Sequence, residues 1–463
     1  MKQFENYLSR ASCSTLKSAI IYPKTQEFLE IIPLLEKYTA LEKIYCVLSA
    51  RTALTNVDSM LYSYKVEICN ISGFQKRGIL TDMIFFDYDR ADDVPALTDH
   101  TIEHVVGRMD TGEDYFSFWE KHRGSAQHIY IEYDHEILEW EKTAADKELS
   151  VVLPVYNVAV YLPRCIESLI QWKASYAEYL FVDDGSTDDS AVIISQYAEK
   201  DKRIRLIQKK NGGCASARNR GINEAEGHYI GFVDADDFVE EDMFQRLLKR
   251  ALMGNYDYTY CGYQEYYEDT GKTEKVSTDC LSGRYLFGES NINQVRLLAV
   301  NTRVAIWRGL YKKSVLDKYH IRFHEELRMF DDLPFRTEYL FAAKSAVCIP
   351  EYLYNYRIGR KGQDTLCTDD RLFVHFQIFK LLDSYTEKYK DRMLWDILQA
   401  VKIQTHVFGC TQIEKKYRKK YEKRAKKQLK EHAGYIRNVI ICQLYAGRNN
   451  VGWLTRLWMR IHI

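Results

Sequence analysis

The stretch GHYIGFVDADDFVEEDMF, Gly227–Phe244, runs an apolar segment ending in Val233 straight into Asp234, Asp236 and Asp237. A short apolar run that stops at clustered acids reads as a buried strand whose carboxyl end opens on solvent or on a ligand. As a strand end, alternation would put Asp234 and Asp236 on one side, where two hard oxygen donors suit a divalent cation. As a helix start, DDFVEEDMF is equally sound capping chemistry, with Glu240, Glu241 and Asp242 matched to the helix dipole.

Working outward, the same rhythm precedes it. LSVVLPVYN begins at Leu149, an amphipathic YLPRCIESLIQW follows, then EYLFVDDGS, a helix through Ile194, IRLIQKK, a helix after Asn211, and YIGFVDADD. Strand, turn and helix in alternation predict a doubly wound α/β domain. In such sheets ligands collect at the carboxyl ends of the strands. The residues to inspect are therefore Pro154, Tyr156 and Asn157, then Asp183, Asp184, Gly185 and Ser186, then Asp234, Asp236 and Asp237. Between the second and third sets lies NGGCASARNRG, Asn211–Gly221, whose glycines free the backbone and whose Arg218 offers a planar cation suited to phosphate. An ordinary loop feeding a helix would read the same; its place just before a carboxylate pair favours the anion site.

LPVYN, VDDGSTDDS, KKNGGCASARNRG and FVDADD, in this order, resemble family 2 glycosyltransferases of the GT-A fold, over about Leu149–Leu252 and more weakly to about Arg360. The resemblance implies that Pro154, Tyr156, Asn157, Asp183 and Asp184 line the nucleoside pocket, with Asp184 reading the base, and that Gly213 and Arg218 lie near the diphosphate. It further implies that Asp234 approaches the ribose or a metal and that Asp236 ligates Mn²⁺ or Mg²⁺. AIWRGLYKKSVL and EELRMFDDLPFR resemble the family's acceptor half, in which Asp332 aligns with the expected catalytic base. Asp331 stands where a glutamate is usual. YLYNYRIGRKG resembles the closing Tyr-x-Tyr-Arg segment, so Trp307, Tyr356 and Arg357 are expected to shape the acceptor site.

The reaction so implied moves a sugar from a nucleoside-diphosphate sugar, a UDP-sugar by resemblance, to a hydroxyl of a glycan or lipid-linked acceptor, with inversion. A lapsed enzyme that only binds glycan or a partner is the alternative from another class. A nucleotidyltransferase is the enzymatic alternative, but PVYNVAVYL stands where its glycine-rich basic loop is expected.

The flanks read differently. In the first third, SAIIYP, KIYCVLS, KVEICNI, TDMIFFDYD and HIYIEYD alternate with helix-like segments, which predicts a small α/β domain with a largely parallel sheet. It lacks the glycine-rich dinucleotide fingerprint, and acids such as Asp87 and Asp89 assign it no role. The expected organisation is 1–146 for this domain, 147–365 for the GT-A domain (donor half 149–252, acceptor half 253–365) and 366–463 for a helical basic region. KKYRKKYEKRAKKQLK and the terminal GWLTRLWMRIHI, basic with tryptophan at helical spacing, fit a helix at an anionic membrane surface as well as a solvated helix with a docking tail.

Over its 463 residues the formal net charge is zero, which argues against a general nucleic-acid binder. Its 11 cysteines show no CxxC pair and no zinc spacing. With no signal-peptide core or long apolar run, the expectation is a cytoplasmic protein, peripheral on the inner face of the cell membrane.

Overall fold

The computed structural model describes residues 2–9, 13–22, 31–48, 66–70, 83–88, 102–109, 114–133, 136–142, 147–276, 285–286, 292–360, 367–387 and 390–430. GWLTRLWMRIHI and Asp89 lie outside the described residues. The chain divides into two compact units, Met1–Ala144 with Leu252–Asn255, and Ala145–Ala251 with Tyr256–Ile463. The helices after residue 366 thus fall in the second unit.

The first unit holds a sheet of β1 (Ser18–Tyr22), β2 (Lys43–Leu48), β3 (Val66–Asn70), β4 (Met83–Tyr88), β5 (Ile102–Met109), β6 (Ala126–Tyr133) and β7 (Glu136–Glu141), in the order β3-β2-β1-β4-β5-β6-β7. Pairing is parallel through β6, and β7 returns antiparallel. Phe4, Leu8, Ile21, Ile32, Leu35, Met83 and Val106 form its core. Two of these strands were not anticipated. In β5 the apolar pattern is broken by His104, yet its ring is buried, hydrogen-bonded to the Tyr7 hydroxyl at 2.8 Å and stacked on His128. In β7, EILEWE, Leu138 and Trp140 are buried on either side of Glu139.

The second unit is built on β8 (Leu149–Val155), β9 (Ala177–Asp183), β10 (Ile204–Gln208), β11 (Tyr229–Phe232), β12 (Phe238–Val239), β13 (Tyr258–Tyr267), β14 (Thr273–Lys275), β15 (Tyr285–Leu286), β16 (Gly309–Lys312) and β17 (Ala346–Ile358). The main order is β10-β9-β8-β11-β16-β13-β17-β12. The strands β10, β9, β8 and β11 run parallel. All seven residues of β9 are buried, as in a central parallel strand, Glu178 and Asp183 near its two ends included. The chain goes from β8 outward to β10, then returns to the other side of β8 as β11. Strand order therefore reverses between β8 and β11, and a ligand crevice opens at their carboxyl ends.

Two glycines permit the crevice. A Cβ on Gly221 would stand 2.2 Å from Val152 Cγ1, so only glycine lets the helix Cys214–Glu224 lie this close to β8. Gly213, before that helix, has φ +92°.

Beyond residue 366, the helices Val374–Glu387, Arg392–Gln412 and Lys415–Lys430 pack together. The second of these is capped by Asp391, whose carboxylate accepts from the amides of Met393 (2.9 Å) and Leu394 (3.4 Å). Tyr421, Ala425 and Leu429, spaced four apart, bury one face of the last helix, while Lys415, Lys416, Lys419, Lys420, Lys423, Arg424 and Lys427 are exposed. No helix among the described residues is long and apolar enough to cross a membrane.

Candidate active site

At the ends of β8 and β9 the two loops are clamped together. Asn157 sits at φ +52°, a conformation asparagine tolerates better than most residues. Its amide donates to Ser186 Oγ at 3.1 Å, and its side-chain oxygen accepts from the Thr187 amide at 2.8 Å. Asp183 is buried and accepts from the Ser186 amide at 3.0 Å. Asp184 takes Lys209 Nζ at 2.6 Å and the amides of Gly212 and Gly213 at 2.9 and 2.7 Å. A carboxylate offers about four lone-pair positions, so Asp184 clasps the glycine loop and keeps about one for a ligand. Tyr156 is 51% exposed beside it, following the partly buried Pro154.

Arg218 comes from the helix Cys214–Glu224 and is buried. Its Nη1 donates to Asp331 at 3.0 Å and its Nη2 to Asp234 at 2.9 Å, with the guanidinium 5.3 Å from the Phe323 ring centroid. One planar fork thus ties the acid after β11 to the acid before the helix Asp332–Ala342. Breaking one side of such a buried pairing costs about 3–5 kcal/mol.

The DADD segment is a turn rather than a strand end. β11 stops at Phe232, and the Asp237 amide donates to the Asp234 carbonyl at 2.9 Å, so alternation does not set the side chains. Each acid meets a different partner. Asp234 pairs with Arg218, Asp236 forms an ion pair with Arg360, and Asp237 accepts from the Tyr354 hydroxyl and the Arg357 amide, both at 2.7 Å. Burial, then the neighbouring Asp236 and Asp234, push the Asp237 carboxyl well above the ordinary range. Asp236 is raised by burial and by Asp234 against the opposing pull of Arg360. The helix expected from DDFVEEDMF begins only at Met243. Phe238 and Val239 instead form β12 against β17, and Glu240 accepts from Asn355 Nδ2 at 3.0 Å.

Asp331 and Asp332 begin the helix Asp332–Ala342, directly after Phe330 at φ +56°. Asp331 is buried against Arg218, whereas Asp332 has no side-chain partner among the described residues and accepts from its own amide. Burial, then the charges of Asp331 and Asp234 against the opposing Arg218, push the Asp332 carboxyl up to about 7. A carboxyl with that value holds and releases a proton near neutrality. Asp331 also lines a cleft of about 290 Å³ with Asn211, Gly212, Gly213, Glu325 and Arg328, so the glycine loop and the acidic turn face one space.

Trp307 lies between Tyr354 and Tyr356, with ring centroids 4.1 and 5.3 Å away and planes nearly parallel. Tyr356 is half-buried at its edge. Arg357 is buried. Its Nε donates to the Asp236 carbonyl at 2.6 Å, it pairs with Glu268, and it lies over Tyr161 and Tyr266, so it braces the DADD turn.

Among the expected residues, the structure brings Gly213, Arg218, Asp234, Asp331 and Asp332 into one neighbourhood. Pro154, Tyr156, Asn157, Asp183 and Asp184 form the adjoining edge, while Asp236, Arg357, Tyr356 and Trp307 cluster around β17. Sequence reading passed over Lys209, Tyr354 and Arg360, although all three lie within segments it quoted. Their signal is charge or a hydroxyl one strand away from an acid, visible for Lys209 only once β10 is known to pair with β9, and for Tyr354 and Arg360 only once β17 is known to pair with β12.

Asp234 and Asp236 offer hard oxygen donors, and each arginine engages one oxygen of its carboxylate. Among the described residues no group of three or more His, Cys, Asp or Glu is placed to hold a metal ion. A cation held by this pair would have to take most of its ligands from diphosphate oxygens and water.

The sequence profile described as "Glycosyl transferase family 2" matches residues 150–319. The chain is 36% identical over 211 residues to the uncharacterized glycosyltransferase EpsJ of Bacillus subtilis (strain 168), a match spanning 45% of this chain and 60% of that protein. It is 32% identical over 253 residues to the uncharacterized glycosyltransferase YibD of Escherichia coli (strain K12), spanning 53% of this chain and 73% of that protein. The crystal structure of S. aureus TarS 1–349 in complex with UDP-GlcNAc aligns with a TM-score of 0.48 at 20% identity, over 61% of this chain and 80% of that one. On the extent of the YibD match and the family profile, the chain belongs to glycosyl transferase family 2, with the GT-A fold that its β8–β11 core displays.

Proposed function

We propose that the protein transfers a sugar from a nucleoside-diphosphate sugar, a UDP-sugar first among candidates, to a hydroxyl of a glycan or lipid-linked saccharide, inverting the anomeric carbon. The observation that carries the reading is Asp332, without a side-chain partner among the described residues, raised to about 7 and seated beside the Arg218-bridged acids.

In this reading Asp332 takes the proton of the acceptor hydroxyl as that oxygen bonds to the anomeric carbon. The bond from that carbon to the diphosphate oxygen breaks, and its electron pair leaves with the nucleoside diphosphate. Arg218 holds Asp234 and Asp331 in place, and the charge of Asp331 helps keep Asp332 basic enough to act near neutral pH. Asn157 and Asp184 shape the nucleoside edge, and the Trp307–Tyr356 stack offers an apolar face to an acceptor sugar. A Mn²⁺ or Mg²⁺ ion held by Asp234 and Asp236 would supply positive charge against the departing diphosphate.

The exposed basic face of Lys415–Lys430 supports a peripheral place on an anionic, cytoplasmic membrane surface. Reversing four of those lysines to glutamate should abolish sedimentation with anionic vesicles; unchanged sedimentation would move the anchor elsewhere. The transfer itself is tested by nucleoside-diphosphate release from a panel of UDP- and GDP-sugars in the presence of Mn²⁺. Release by the wild type and its loss in Asp332→Asn is the expected result. Silence across the panel favours the lapsed, binding-only reading, and pyrophosphate release from a nucleoside triphosphate favours a nucleotidyltransferase.

A further inference from the structure

The family profile ends at residue 319, before the acidic turn and the C-terminal helices. Just before the acidic turn, Met329 and Phe330 both pack against those helices. Phe330, next to Asp331, has φ +56°, a region bulky side chains rarely enter. Such a conformation persists where the surroundings over-determine it. On one side, the Phe330 carbonyl accepts from the Leu333 amide at 3.2 Å, which closes the first turn into the helix Asp332–Ala342. On the other, its side chain packs against the cluster of Leu372, Phe376, Cys410, Ile413, Tyr421 and Ala425. Its ring centroid is 4.9 Å from that of His375. The His375 imidazole is hydrogen-bonded to the Tyr421 hydroxyl at 2.7 Å, and that hydroxyl also meets His406 at 3.1 Å.

We propose that Phe330 is a positioning residue, through which the C-terminal helices hold the Asp331–Asp332 pair in its working geometry. The helices Val374–Glu387, Arg392–Gln412 and Lys415–Lys430 are then part of the catalytic apparatus, although none of their side chains is assigned to the reacting atoms. The inference rests on the reading of Asp332 as the base. It also predicts a readout that a purely structural residue would not move. Asp332 is faced by Asp331 on its own turn, by Arg218 from the helix Cys214–Glu224, and by Asp234 after β11. A loosened turn lets water reach Asp332 and separates it from Asp331, so its carboxyl falls back toward the ordinary range.

The test uses the full chain with Phe330→Gly, Phe330→Tyr, His375→Leu and Asp332→Asn. Glycine accepts the left-handed backbone but lacks the ring, so Phe330→Gly separates relief of strain from loss of the anchor. UDP affinity is measured by calorimetry with Mn²⁺ present, and UDP release is followed from the UDP-sugar that the wild type turns over fastest. Phe330→Gly should lower kcat at least tenfold, leave the UDP Kd within twofold, and move the acid limb of the pH–rate profile lower by half a unit or more. Phe330→Tyr should restore kcat to within threefold, and His375→Leu, which leaves residue 330 intact, should lower it less than Phe330→Gly in the same direction. Wild-type kcat and acid limb in Phe330→Gly, or no rescue by tyrosine, overturns the proposal. Full activity in Asp332→Asn instead overturns the base reading on which it stands.

Discussion

Two of the molecule's Asp-Asp pairs, one after β11 and one before the helix Asp332–Ala342, are built in opposite ways. At Asp236–Asp237 the second acid is sealed in, satisfied by the Tyr354 hydroxyl and the Arg357 amide, and the first is paired with Arg360. At Asp331–Asp332 the first acid is sealed against Arg218, and the second is left without a side-chain partner among the described residues, at about 7. The same dipeptide serves as a brace in one place and as a proton acceptor in the other. Which acid does which is set by the groups that reach it from other elements, since a carboxylate's value follows burial, nearby charge and hydrogen bonds together.

The widest expected difference is kinetic. Asp332→Asn should reduce transfer by about 10³-fold while UDP binding stays within twofold, as loss of a general base does. Lost UDP binding in that variant would mean that Asp332 supports the pocket instead. The pH–rate profile should rise through about pH 7, because Asp332 must be ionised to accept a proton.

The brace at Asp237 should fail as stability rather than as rate. Asp237→Ala strands a buried hydroxyl and a buried amide and should cost about 2–4 kcal/mol in urea unfolding. Asp236→Ala, at the more open ion pair, should cost about 1 kcal/mol. Equal losses in the two variants would erase the distinction drawn within that turn.

Arg218→Lys keeps the charge but not the fork that spans Asp234 and Asp331, and should cost about 1–2 kcal/mol of stability. Wild-type stability and activity in that variant would show that the bridge is not needed.

The last effect has the opposite sign. Between the ordinary carboxyl value and about 7, folded Asp332 holds a proton that the unfolded chain has released. Unfolding free energy therefore falls as pH rises through that window. Asp332→Asn should accordingly be more stable than wild type at pH 8, by on the order of 1–2 kcal/mol, and close to it below about pH 4, where the acid is protonated in both states. Thermal unfolding at both pH values checks this, and a variant less stable at pH 8 would show that the carboxylate is better satisfied than its surroundings indicate.

Much of the fold was legible because its determinants are local. Every strand and helix expected from Leu149 to Phe232 is present, since continuous apolar runs and amphipathic periods report burial directly. In the first unit, β5 escaped because His104, whose burial rests on Tyr7, interrupts its apolar residues, and β7 because glutamates break up its own. The turn at DADD misled for a similar reason: its residues suit a helix cap, yet pairing of β12 with β17 wins.

By itself the sequence determined the order of strands and helices, the acids and glycines at the strand ends, and hence the family. Only the tertiary structure decided which charge meets which. Arg218 and Asp331 are 113 positions apart, and Asp237 and the Arg357 amide 120, so nothing in either neighbourhood announces the other. Local pattern follows from the backbone and solvent that each residue meets on its own. The working state of a buried acid follows from long-range partners, and those exist only once the sheet has closed around them.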